Sequence, residues 1–265
     1  MDASLTTRNA DTRAIVTGGA QGLGLAIARQ LAAEGCPAIA LVGRTAAKGG
    51  PAVEELRHLG ADARFIEADV GRVEDCRRVV AAAIDAFGSV HALVNSAGLS
   101  ERGSLVDTEP EGFDRLFSTN VRGPFFLMQG VVRHLIAAGR PGSMVNILSM
   151  TAHGGQSYLA PYSASKGALA TLTRNVANAY RGKRIRCNAV LPGWMDTPGE
   201  DAVQKLSHGA ADDWLATVEA RQPMGQLIKP AELAGLVTYM LSPQSGVMTG
   251  ALIDYDQNVT GAYPE

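Results

Sequence analysis

Short apolar runs alternate with amphipathic stretches along nearly the whole chain. The runs Ala14–Thr17, Ala38–Val42, Arg64–Glu67, Ala92–Asn95, Met144–Leu148, Arg186–Leu191 and Ala251–Tyr255 have strand length. Most are apolar throughout rather than at every second position, the pattern of strands buried on both faces. Between them, Leu23–Glu34, Ala46–Leu59, Cys76–Phe87, Gly112–Ala138, Tyr158–Tyr180 and Pro230–Leu241 carry apolar residues at helical spacing. Strands alternating with helices predict an α/β fold, a doubly wound parallel sheet of about seven strands with helices on both faces. No composition break or linker divides the chain, so residues 12–265 are expected to form a single domain behind a flexible tail, 1–11. Only Asp196–Gln226 departs from the rhythm, with Trp194 just before it and Trp214 within it. Residues 195–226 are therefore expected to be a substrate-binding lid or loop.

Composition narrows the partners. With 265 residues, 46% of them hydrophobic, the chain can bury a full core, and no run of eighteen apolar residues suggests a membrane span. The polar N-terminus lacks the apolar stretch of a secretory signal, which points to the cytoplasm. Cys36, Cys76 and Cys187 have neither metal-ligand nor disulfide spacing, and no metal is expected. A net charge of −2 and only 5% aromatics argue against nucleic acid as a ligand.

Two segments carry chemistry. After the first expected strand, Gly18, Gln21, Gly22, Leu23 and Gly24 form a glycine-rich turn that opens a helix. Glycines let the backbone approach a pyrophosphate, and a helix N-terminus offers free N–H groups, so a Rossmann-type dinucleotide site is expected. The spacing Gly18-x-x-x-Gly22-x-Gly24 is not the commonest fingerprint, and no Gly-Lys-Ser/Thr ending marks a triphosphate loop. Farther on, Tyr162 and Lys166 stand four residues apart, on one face if helical. An ammonium beside a phenol favours phenolate, as a proton-transferring base requires.

Together these motifs resemble the short-chain dehydrogenase/reductase family. The resemblance rests on the glycine turn, Asn95-Ser96-Ala97-Gly98 after the fourth strand, Ser149 thirteen residues before Tyr162, Lys166, and Pro192-Gly193 with Thr197. It implies that Tyr162 exchanges a proton with the substrate oxygen while a nicotinamide exchanges a hydride with the carbon. Lys166 would also bond the nicotinamide ribose, Ser149 would hold the substrate oxygen, and Asn120 would position a water linked to Lys166. Asp69 and Val70 resemble the family's adenine contact, and Asn95, Ala97, Gly98, Pro192, Gly193 and Thr197 complete the implied cofactor site. The family's NAD-selecting aspartate is absent at Gly43, and Arg44 follows it. A guanidinium can clamp a 2′-phosphate, so NADP(H) is favoured, with NAD(H) the other option.

The resemblance also implies that the stretch between Ser149 and Tyr162 lines the substrate pocket, so His153 and Gln156, with Trp194 and Asp196, suggest hydrogen-bonding groups beside an aromatic wall. That favours interconversion of a secondary alcohol, a polyol or sugar, and its carbonyl. A ketoacyl or hydroxysteroid reductase with an apolar pocket is the alternative, and an idle NADP-sensing scaffold the remote one. The resemblance further implies a homo-oligomer, dimer or tetramer, paired through Gly112–Ala138 and Tyr158–Tyr180. Where the family ends its last strand in glycines, this chain reads Asp254-Tyr255-Asp256-Gln257-Asn258.

Overall fold

A computed structural model describes residues 7–154 and 156–262. Seven parallel strands form one sheet in the order β3-β2-β1-β4-β5-β6-β7. They are β1 (Arg13–Thr17), β2 (Ala38–Gly43), β3 (Asp62–Glu67), β4 (Ala92–Asn95), β5 (Gly142–Ile147), β6 (Ile185–Pro192) and β7 (Leu252–Tyr255). Each strand matches its expected run to within two residues. Successive side chains leave opposite faces, so Ala14 and Val16 enter one core with Ile27, Leu31, Leu233 and Val237. Ile15 enters the other, with Val79, Leu93, Val131 and Leu135. Burying one such Leu or Ile is worth about 1.5–3 kcal/mol. A polar residue at alternate strand positions would forfeit that on one face, hence the continuous apolar runs.

The helices are α1 (Gly22–Ala33), α2 (Ala46–His58), α3 (Val73–Phe87), α4 (Pro110–Phe117), α5 (Gly123–Ala138), α6 (Ala160–Tyr180), α7 (Pro198–His208), α8 (Trp214–Glu219) and α9 (Pro230–Leu241). Helices α1 and α9 pack together on one face of the sheet, and α3 and α5 on the other. Because β1 sits between β2 and β4, the chain winds outward in both directions from it. The crevice at that reversal, beyond the C-terminal strand ends, is where such sheets bind ligands.

Three expectations change. Gly112–Ala138 is not one α-helix: Ser118–Arg122 forms a π-turn between α4 and α5. Pro124 is the cause, since it has no N–H for the carbonyl of Asn120 and its ring crowds that carbonyl. Asp196–Gln226 is not a loop but holds α7 and α8. Pro198 opens α7, whose N-cap Thr197 accepts from the Glu200 N–H at 3.1 Å, with Glu200 and Asp201 in the first turn. Of the expected tail, residues 1–6 lie outside the described residues. Its inner end is pinned, because Arg8 pairs with Glu34, and buried Asn9 donates to Glu34 at 2.6 Å.

Candidate active site

A cleft of about 630 Å³ opens along the C-terminal ends of β1, β2 and β4. Its floor is the glycine turn. Gly18 has φ +65, and a methyl added there would meet the Ala97 amide nitrogen at 3.1 Å. A methyl at Gly24 would strike the Gly18 carbonyl, lying 2.7 Å from its carbon. The turn can therefore close only on glycine, leaving the start of α1 bare toward the cleft. Gln21, Gly22 and Leu23 line it as well. Thr17 braces the opposite side: its hydroxyl donates to Val94 O and accepts from the Ser96 and Ala97 amides, both at 3.0 Å. This cradle fits a dinucleotide pyrophosphate. Gly24→Ala is expected to weaken dinucleotide binding at least about 100-fold, since the turn must open by the order of an ångström. Titration by nicotinamide fluorescence checks it.

At the β2 end, Arg44, Thr45 and Lys48 line the cleft. Sequence reading missed Lys48, which reaches over α1 to donate to Gln21 Oε1 at 2.7 Å. It brings a second cation beside Arg44. Asp69 and Val70 form the neighbouring wall, with one Asp69 oxygen accepting from the Gly71 N–H at 2.9 Å. Of the remaining expected cofactor residues, Ala97, Gly98, Tyr162, Lys166 and Thr197 line the cleft. Asn95, Pro192 and Gly193 do not. Asn95 is buried and donates to Asn146, its β5 partner, at 2.8 Å. Gly193 is held by Tyr255 O at 3.0 Å, and the Asp256 carboxylate fills the space beside it.

The residues expected to react come together at the other end. Lys166, 5% exposed, sits 5.7 Å from the centre of the Tyr162 ring and donates to Ile147 O at 2.9 Å. Ser149 accepts from both the Thr151 amide (3.2 Å) and the Thr151 hydroxyl (3.1 Å), so its own proton is free for Tyr162, to which it hydrogen-bonds. Asn120, on the π-turn, accepts from Leu99 N and donates to Leu99 O and Ser165 Oγ. Its Oδ1 and the Lys166 ammonium flank Gly98, where a methyl would lie 3.5 Å and 3.4 Å from them.

Electrostatically the pair behaves differently from the expectation. Burial pushes the Tyr162 phenol above its usual range, opposed by the Ser149 hydrogen bond and reinforced by the Glu200 carboxylate. Burial also pulls Lys166 down to about 8. Desolvation outweighs mutual attraction because the ammonium is spent on a backbone carbonyl rather than on the phenol oxygen.

The expected substrate groups scatter. His153 turns to Asp254, Nε2 to Oδ1 at 2.8 Å, and Gln156 is exposed. Asp196 is tied to Lys229 at 2.8 Å, with Glu219 on the same ammonium at 2.6 Å, closing the two ends of the α7–α8 segment onto α9. Trp194 stacks on Trp214, their ring centres 6.2 Å apart. The cleft wall here is instead Met195, Glu200 and Val203.

A parallel sheet wound both ways from β1, a glycine cradle at its crevice and a Ser-Tyr-Lys cluster beyond define a dinucleotide-dependent oxidoreductase. The family model described as enoyl-(acyl carrier protein) reductase matches residues 18–260. The cis-4-hydroxycyclohexanecarboxylate dehydrogenase of Sinomonas cyclohexanicum is 34% identical over 252 residues, 95% of this chain and 97% of that protein. The L-rhamnose 1-dehydrogenase (NAD(P)(+)) of Azotobacter vinelandii is 32% identical over 252 residues, covering 93% and 95%. A solved structure of a variant actinorhodin polyketide ketoreductase with NADPH matches at TM-score 0.86 and 30% identity, covering 94% of this chain and 97% of that one. The chain belongs to the short-chain dehydrogenase/reductase family and is an NAD(P)-dependent enzyme acting between an alcohol and its carbonyl. No helix among the described residues is long and apolar enough to cross a membrane.

Proposed function

We propose that this enzyme interconverts the secondary alcohol of a polyol or sugar with its carbonyl, using NADP(H) in preference to NAD(H). The observation carrying the reading is that Tyr162, hydrogen-bonded to Ser149, and Lys166 line the cleft whose other end is the glycine cradle. The bound nicotinamide supplies or accepts the hydride. Tyr162 gives its phenolic proton to the carbonyl oxygen in reduction and takes it back in oxidation. Ser149 donates to that oxygen and fixes its position; Lys166 holds the nicotinamide ribose and, with Asn120, a proton path from the interior. The segment 195–226 acts as the lid, and α4, α5 and α6, whose Phe113 and Phe125 are exposed, pair copies of the chain. Kinetics with NAD and NADP over polyols, sugars and their keto forms test the reading. Tyr162-dependent turnover of hydroxylated substrates is expected; turnover restricted to apolar ketones or acyl thioesters would refute it.

The cofactor preference rests on Arg44 and Lys48 together. Each charge-assisted contact to a 2′-phosphate is worth roughly 1.5–3 kcal/mol. Arg44→Ala combined with Lys48→Ala is therefore expected to raise KM for NADP by about 100-fold or more, at two contacts of that size, and to leave KM for NAD within severalfold. An equal loss for both cofactors would remove the basis for the preference.

A further inference from the structure

Glu200 is the carboxylate of the α7 wall, in the same cleft as Tyr162 and Lys166. Its Oε1 accepts from the Trp194 indole N–H at 2.8 Å and from Gln204 Nε2 at 2.8 Å. Trp194 is itself braced on Trp214, which is 6% exposed and donates to Asp201 at 2.8 Å. The carboxylate is thus fixed by two neutral donors, both on one oxygen, and among the described residues Oε2 accepts no hydrogen bond. No cation pairs with it among the described residues. By contrast, Asp201 next to it pairs with Lys205 at 3.2 Å. The other acids of the cleft are likewise engaged: Glu101 pairs with Arg115 at 2.9 Å, and Asp69 caps Gly71. The cations Arg44 and Lys48 belong to the far, β2 end. Glu200 and Tyr162 line this one cleft, and the Glu200 carboxylate adds to burial, the larger cause, in raising the phenol above its usual range.

We propose that Glu200 is a specificity-determining residue, whose carboxylate accepts hydrogen bonds from a further hydroxyl of a neutral polyhydroxy substrate and turns away substrates bearing a carboxylate. This rests on the proposed function, naming the group that would read the second hydroxyl. A fixed acceptor with an open oxygen rewards a hydroxyl donor, and a like charge in a partly desolvated cleft repels an acid. His153, Gln156 and Asp196 do not fill this place, being exposed or paired elsewhere.

The test uses a matched pair, cyclohexane-1,4-diol and 4-hydroxycyclohexanecarboxylate, which share a ring and a secondary alcohol and differ in charge. Each is assayed as substrate, or as competitive inhibitor of the best panel substrate where it is not turned over. Glu200→Gln keeps the shape and the acceptor for Trp194, so folding is preserved. It is expected to improve kcat/KM, or the inhibition constant, for the acid relative to the diol by about tenfold, mostly through KM. Trp194→Phe, which frees the carboxylate without removing it, should narrow the discrimination severalfold. An unchanged acid-to-diol ratio in Glu200→Gln, including one accompanied by a change in KM for the cofactor alone, overturns the inference and leaves the functional reading standing. Absence of Tyr162-dependent turnover anywhere on the panel overturns both.

Discussion

Tyr162→Phe is expected to cut turnover by about 10²–10⁴-fold, the usual contribution of a positioned acid–base group, with dinucleotide affinity unchanged. The phenol oxygen is the only part removed, and the ring still packs against Lys166. Direction matters as well. Because burial and Glu200 push the phenol upward, it keeps its proton at neutral pH and is ready as the acid for carbonyl reduction. Alcohol oxidation needs the phenolate, so its kcat/KM should climb on the alkaline side in the wild type. Steady-state kinetics in both directions across pH, with fluorescence titration of the cofactor, check both statements. A variant retaining wild-type kcat would show that another group moves the proton.

Lys166→Met is expected to be nearly inactive yet more stable. An amine pulled from 10.5 to about 8 by burial carries a folding penalty of about 3 kcal/mol, at about 1.4 kcal/mol per pH unit. The folded state binds fewer protons than the unfolded chain between those two values, so stability rises with pH across that window. Below about 8 the penalty is complete. Methionine removes it but leaves the Ile147 carbonyl without its donor, a loss of about 1 kcal/mol. The cofactor-free variant should gain about 5 °C in Tm at neutral pH. That gain should vanish, and reverse, above the ordinary lysine range. A variant less stable than wild type at neutral pH would mean that the ammonium is held by more than one carbonyl.

Most of the strands were legible because both sheet faces are buried along them, which forces continuous apolar runs. The cradle and the Tyr162–Lys166 pair were legible because each depends on local spacing within or just beside one element, whereas Ser149, on another element, was legible through the family resemblance. Two local signals went unread. Gly123-Pro124 announces the break after Asn120, and Thr197-Pro198 with Glu200 and Asp201 is a helix start. What spacing could not supply were partnerships across the chain: His153 with Asp254, Lys48 with Gln21, Asp196 with Lys229. The direction of the Tyr162 shift belongs to the same group, since it follows from how much water the folded cleft removes and not from which residue stands four places on.

The residues that replace the family's glycines after β7 are not idle bulk. Gln257 donates to Gln226 O at 2.8 Å and to Gln222 Oε1 at 3.3 Å, and accepts from the Met224 amide at 2.8 Å. The end of the segment 195–226 is thereby tied to the residues after β7. A change at Gln257 alone would therefore release three hydrogen bonds that hold residues 222–226 and leave the glycine cradle after β1 untouched.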